Sequence, residues 1–241
     1  MATPPEAKPE SQRLSQTIEE MVDRRKKQLT AYQNAAYADR YAALVSKVQK
    51  LEAEKFAGKK ALSAAVARYY FKLMAYKDEY EVARLYADSD FVKRVAEQFE
   101  GDYKFTFHMA PPLMSDLDPV TGEAKKKVFG PWMMSAFGVL AKFKGLRGTA
   151  FDIFGYSDER KMERQLIADY ERTIEDLLGK VSADNYDVAV DIASVPEFIR
   201  GYGHVKHQHL VEAKKREGEL VERFRNPVVG AGREIRVKVA A

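Results

Sequence analysis

The chain has 241 residues, of which 46% are hydrophobic and 32% charged, and it contains no cysteine. Without thiols it can form no disulfide, hold no cysteine-ligated zinc or iron–sulfur cluster, and use no thiolate nucleophile. Lys and Arg number 40 against 36 Asp and Glu, a formal net charge of +4, and so small an excess spread along the chain argues against a dedicated nucleic-acid surface.

Residues 1–11 carry three prolines among small and charged residues and read as a disordered tail or linker. They lack the apolar core of a secretory signal. No apolar run approaches the roughly 18 residues of a membrane span, so a soluble, cytoplasmic protein without membrane contact is expected. Residues 12–56 read as helix with room for one interruption. Leu14, Ile18, Met21 and Val22 recur at helical spacing, as do Tyr37, Tyr41, Leu44, Val45, Val48 and Leu51. Gly58 is the expected stop. A second helix is predicted over 62–87, with Val66, Tyr69, Tyr70, Leu73 and Met74 on its apolar face, widened by Tyr76 and Tyr80. A short helix over 90–99 follows, with Asp88, Ser89 or Asp90 as its cap.

The period then changes from helical to two. Residues 103–109 alternate as a strand, stopped by Ala110-Pro111-Pro112. Turn residues at 118–122 and a return strand over 125–129 complete a hairpin. Gly130-Pro131 opens a helix running to residue 144, and residues 145–156 form a loop rich in glycine and aromatics. Ser157 caps a helix over 158–178 with Met162, Leu166, Ile167, Ile174, Leu177 and Leu178 inward. Ser182 or Asp184 starts another helix to residue 192. Residues 196–199 make one turn, 200–203 a linker, and 204–224 the last long helix. The expected fold is mainly α: one helical domain over 12–225 with a small β-hairpin near 103–129. A weakly ordered tail or terminal strand follows over 226–241.

Motifs for common chemistries are missing. The glycine clusters at 201–203 and 230–232 follow no convincing strand, so they do not read as a dinucleotide turn. There is no phosphate-binding loop and no nucleophile elbow. Gly101-Asp102 is the one GD pair, and it follows a helix. The histidines are His108, His204, His207 and His209. His204 and His207 share a helical face, but no carboxylate joins them before Glu212, so no metal site is expected. For His108, on the alternating strand, a buried hydrogen-bonded role is preferred to acid–base chemistry.

Several stretches go beyond periodicity: residues 30–38, then Phe99-Glu100-Gly101-Asp102-Tyr103 leading to Phe107-His108-Met109-Ala110-Pro111-Pro112 and Phe129-Gly130-Pro131-Trp132-Met133. After them come Leu146-Arg147-Gly148-Thr149 with Phe154-Gly155-Tyr156, Glu159-Arg160, Glu163-Arg164, and Leu166-Ile167-Ala168-Asp169-Tyr170-Glu171. The last is Arg200-Gly201-Tyr202-Gly203-His204-Val205-Lys206. In this order, over about residues 30–224, the chain resembles the C-terminal region of the indolepyruvate ferredoxin oxidoreductase family, within the 2-oxoacid:ferredoxin oxidoreductases. The resemblance implies an enzyme that oxidises aryl 2-oxoacids to acyl-coenzyme A with thiamine diphosphate and iron–sulfur clusters. It also implies that those cofactors sit in other domains or subunits, which are the expected partners. No position here matches the family's catalytic residues. A non-catalytic assembly domain is therefore expected, binding no cofactor itself.

The alternative expectation is a ligand-binding module for coenzyme A or an aryl acid, using Arg147, Arg200, Tyr202, His204 and Lys206. The segment at 200–206 offers donors and flexible backbone for a phosphate or carboxylate. The preferred reading of the segment is a tight interhelix turn whose arginine pairs with Glu159, Glu163 or another buried carboxylate. Trp132, Phe154 and Tyr156 are candidate pocket or interface aromatics. For Phe151, Phe154 and Tyr156, plugging the core beneath the loop is the preferred role.

Overall fold

The computed structural model describes residues 15–87, 93, 95, 97, 98, 101, 104–109, 125–201 and 203–227. The expected tails, the caps at 88–90, most of the short helix after them, the proline stop, the hairpin turn and Tyr202 lie outside the described residues. Among those described are eight α-helices and one two-stranded sheet: α1 (Ile18–Tyr32), α2 (Ala35–Lys55), α3 (Ala61–Met74), α4 (Glu79–Ala87), β1 (Phe107–Met109), β2 (Lys127–Phe129), α5 (Met133–Lys142), α6 (Asp158–Lys180), α7 (Tyr186–Ser194) and α8 (Gly203–Arg225). Single 3-10 turns lie at Phe143–Leu146 and Val195–Phe198. The mainly α fold with one hairpin is as the periodicity predicts.

Contacts divide the chain into two compact units. The first takes the residues up to Lys26, Asp39–Met74 and those from Gln165 on; the second takes Lys27–Ala38 and Ala75–Arg164.

In the first unit, α3 packs against α7, and α7 against α8. Buried Tyr41, Tyr70 and Tyr170 stack with ring centroids 5.9 and 5.8 Å apart, and Val45, Val48, Leu62, Val66, Ile174 and Ile192 fill in around them. The start of α3 is capped from a distance. Buried Glu52 of α2 accepts the Leu62 and Ser63 N–H groups at 2.9 and 3.1 Å, and the Tyr186 hydroxyl at 2.5 Å. A carboxylate there meets donors that the helix cannot satisfy itself, and it complements the positive end of the helix dipole. Helix α7 begins at Tyr186, after Asn185, rather than at Ser182 or Asp184. The Asn185 side chain accepts the Ser182 N–H at 2.7 Å and donates to the Phe224 carbonyl at 3.3 Å, and so ties the turn to α8.

In the second unit the break between α1 and α2 falls at Asn34, whose side chain accepts the Tyr37 N–H at 2.8 Å and starts a new helix. The helix expected over 62–87 is instead two. Asp78 ends the first by capping the second: its Oδ1 accepts the Glu81 N–H at 2.8 Å, a local bond that competes with helix continuation. Helix α4 packs on α5 over a cluster of Ala83, Phe107, Phe129, Met133 and Phe137. The hairpin register pairs Phe107 with Phe129 and His108 with Val128. Period two then puts both phenylalanines on the core and both partners outside. His108 is accordingly exposed, not buried as the sequence suggested.

Candidate functional site

The loop between α5 and α6 in the second unit is built inside out. In the run Phe151-Asp152-Ile153 the acid is 3% exposed, while Phe151 and Ile153 are 76% and 62% exposed. The cause is the Asp152 carboxylate. Its Oδ2 accepts the Gly148 N–H at 2.7 Å, and its Oδ1 accepts the Gly155 N–H at 3.0 Å and the Tyr80 hydroxyl at 3.2 Å. Turn bonds from Thr149 N to Leu146 O and from Asp152 N to Thr149 O, at 2.9 and 3.2 Å, close the backbone over it. Gly148 takes φ +76°, a conformation open to glycine. A Cβ on Gly155 would run into the Asp152 carboxylate. With an ion held inward by three donors, its apolar neighbours are turned out.

A second buried network anchors the start of the loop. Arg147 and Asp78 are both buried and pair in a bidentate fork, Nε to Oδ2 at 2.5 Å and Nη2 to Oδ1 at 2.8 Å. The third guanidinium nitrogen donates to the Tyr32 carbonyl at 2.6 Å, and the guanidinium carbon lies 3.7 Å from the Tyr32 ring centre. Arg147 therefore has its donors engaged within the unit, in a structural role. Burial, and then the Asp78 charge, push the Tyr76 hydroxyl up to about 12. Burial and Asp152 likewise raise Tyr80 well above the ordinary tyrosine value. Arg160, from the first turns of α6, donates to the Lys77 carbonyl at 3.1 Å and approaches Glu79 at 3.8 Å. Arg164 donates to the Gly155 carbonyl at 2.6 Å. Both ends of the loop are thus pinned by charged side chains.

The expected aromatics divide between core and surface. Phe154 packs edge-on against buried Tyr80, centroids 5.4 Å apart. Tyr156 is exposed, its hydroxyl donating to the Ala150 carbonyl at 2.8 Å. Phe151 and Tyr156 therefore do not plug the core, because Asp152 occupies the inward position. Trp132 is also exposed and leans edge-on against Phe129. Among the described residues, most of the exposed large apolar side chains belong to this unit. Here they are Leu85, Val128, Trp132, Val139, Phe143, Phe151, Ile153 and Tyr156, against Phe198, Val205 and Val211 in the first.

The other expected ligand residues lie in the first unit. Exposed Arg200 pairs with Glu197, its Nη2 at 3.5 Å from the carboxylate and its Nε donating to the Glu197 carbonyl at 3.0 Å. Its partner is thus Glu197, whose side chain is half exposed, rather than Glu159, Glu163 or another buried carboxylate. Lys206 is partly buried on the first turn of α8, and the His204 side chain, like Tyr202, lies outside the described residues. The Gly201 and Gly203 φ angles of +88° and +54° make the sharp entry to α8. Asp152, Ile153 and Asp78 were missed in the sequence, although an acid between two apolar residues in a loop was a visible signal.

Among the described residues no group of three His, Cys, Asp or Glu is placed to hold a metal ion, and no helix is long and apolar enough to cross a membrane. No curated protein and no solved structure matches the chain. A family model does match, over residues 18–219, most of the chain. The chain belongs to that family, DUF6537, described as a family of unknown function.

Proposed function

We propose that this chain is a non-catalytic assembly domain of an indolepyruvate, or aryl 2-oxoacid, ferredoxin oxidoreductase, and that it docks on the enzyme's catalytic parts through the loop at 151–156. The observation that carries the reading is the inverted loop. Phe151 and Ile153 stand in solvent on a backbone held rigid by a buried carboxylate, and rigid exposed apolar side chains suit a docking contact better than catalysis. The order of motifs along residues 30–224, which resembles that family's C-terminal region, supports this choice of enzyme. Thiamine diphosphate, the iron–sulfur clusters and coenzyme A belong to the partner domains in this reading. A chain without cysteine has no thiolates to ligate a cluster.

The test is co-elution of the chain with the thiamine- and cluster-binding part of such an enzyme, for the parent and for the double variant Phe151→Ala/Ile153→Ala. Burying these two side chains contributes about 4 kcal/mol, so their loss lowers affinity roughly a thousandfold. The variant is expected to melt within about 2 °C of the parent, since surface changes rarely alter stability, and to elute alone. A parent that never associates, or a variant that co-elutes as the parent does, refutes the reading.

A further inference from the structure

Helix α5 is apolar on two sides, and only one of them is covered. Nine of its ten residues are uncharged. Met133 and Phe137 are buried with Ala83, Phe107 and Phe129, and Met134, Leu140 and Ala141 pack against that cluster. Away from it, Trp132, Val139 and Phe143 stand in solvent, 60%, 56% and 49% exposed, with half-buried Ala136 among them. Trp132 has helical φ and ψ of −56° and −24°, so the stripe keeps one register from its first residue. Positions 132, 136, 139 and 143 advance by four, three and four, the spacing of d and a positions in a coiled-coil seam. A surface helix ordinarily gives its outer face to polar residues, and a helix apolar on a second side has a second neighbour.

The surrounding charge narrows what that neighbour is. Residues 125–144 contain lysines at 125, 126, 127, 142 and 144 and no acid. Lys125, Lys126 and Lys142 are exposed, and none forms an ion pair among the described residues. Lys142 takes the g position beside Phe143, where charge selects the partner helix. A second copy of the chain would set lysine against lysine. The open stripe also offers roughly 300 Å² from two half-exposed aromatics and a valine, against about 800 Å² per partner in a standard interface. A lipid surface would need no heptad spacing, whereas a helix does.

We propose that the outer stripe of α5, formed by Trp132, Ala136, Val139 and Phe143, seats an amphipathic helix of another protein. That helix presents apolar residues at its own a and d positions and carboxylates beside them, facing Lys142. The seat uses no residue of the loop at 151–156 and does not depend on which enzyme the chain serves.

Trp132 is the single tryptophan of the chain, so its emission reports the seat directly. The full chain is titrated with a designed three-heptad peptide that has leucine at a and d, glutamate at e and g, and no tryptophan. Like charges at e and g keep the peptide from pairing with itself. The comparison peptide has lysine in place of glutamate. A saturable blue shift at micromolar glutamate peptide is expected, with the lysine peptide at least about tenfold weaker. Val139 and Lys142 are exposed, so substitutions there keep the fold. Val139→Glu should weaken the glutamate peptide at least about tenfold, and Lys142→Glu should reverse the order of the two peptides. No saturable shift, equal response to both peptides, parent-like binding by Val139→Glu, or an unreversed order in Lys142→Glu overturns the proposal. So does a shift on concentrating the chain alone, or one with phosphatidylserine vesicles and neither peptide, since the occupant is then a second copy or a lipid surface. Phe151→Ala/Ile153→Ala should bind the glutamate peptide as the parent does, so failure of the docking reading and failure of this one are told apart.

Discussion

Asp152→Ala removes the acceptor for three donors at once: the Gly148 and Gly155 N–H groups at 2.7 and 3.0 Å and the Tyr80 hydroxyl at 3.2 Å. A hydrogen bond to a charged acceptor contributes about 1.5–3 kcal/mol, and a buried donor left bare costs a similar amount. Two considerations reduce the sum. Water can enter an opened loop, and alanine removes the desolvation cost of the carboxylate. About 1 kcal/mol per bond, or about 3 kcal/mol in all, is the expected loss. For a chain of this length each kcal/mol lowers the melting temperature by roughly 2–4 °C, so a fall of roughly 6–12 °C is expected. Asp152→Asn tests the cause more finely. An amide must turn its NH2 toward either the Gly148 N–H or the donors shared by Gly155 and Tyr80, so it should recover only part of the loss. Thermal unfolding followed by circular dichroism reads both variants. If Asp152→Ala melts within about 2 °C of the parent, the carboxylate does not hold the loop, and the argument for a rigid docking element falls with it.

Arg147→Met leaves the Asp78 charge buried without its fork and should cost about 3–5 kcal/mol in urea unfolding; adding Asp78→Leu should restore part of it, because the unpaired charge is then gone. Glu52→Gln must turn its NH2 toward either the Ser63 N–H or the donors shared by Leu62 and Tyr186, and a loss of about 2 kcal/mol is expected by the same assay. Burial, followed by the hydrogen bond to Glu52, pushes the Tyr186 hydroxyl up to about 12 from an ordinary value near 10. Its folded form therefore keeps the proton that the unfolded chain releases above pH 10. The corresponding stability is intact below pH 10 and lost as pH rises toward 12. Melting temperatures over pH 8–12 should show this decline, and Tyr186→Phe should make it shallower, with buried Tyr76 and Tyr80 contributing the remainder; an unchanged slope in the variant would show that Tyr186 does not contribute.

Most helices could be placed from the sequence because one-sided burial imposes a period, and that period survives whatever the helix packs against. Tyr41, Val45 and Val48, or Ile174 and Leu177, show it without any knowledge of their neighbours. The hairpin was legible for the same reason, since Phe107 and Phe129 fall on one face of an alternating pair. The breaks within apparently continuous helical patterns were harder. Asn34 and Asp78 are ordinary helix-surface residues by composition. They become caps because their side chains bond the next turn's N–H groups, and at Asp78 because Arg147, distant in sequence, completes the pair.

The candidate site was legible only in part. Arg147, Trp132, Phe154 and Tyr156 drew attention by residue type, but whether an aromatic in a loop points inward or outward is a competition for interior space. Asp152 wins the inward place because three donors compensate its burial, and those donors come from Gly148, Gly155 and, from another helix, Tyr80. The convergence of Lys72 with Arg200 on one carbonyl is similar, since the two are far apart in the chain. The sequence by itself determined where regular structure repeats and which chemistries have no residues to perform them, because these depend on local spacing and composition. Only the tertiary structure decided the division into two units, the orientation of Phe151 and Ile153, and the meeting of Lys72 with Arg200 at the Glu197 carbonyl. Each of these depends on which distant group supplies the compensating bond.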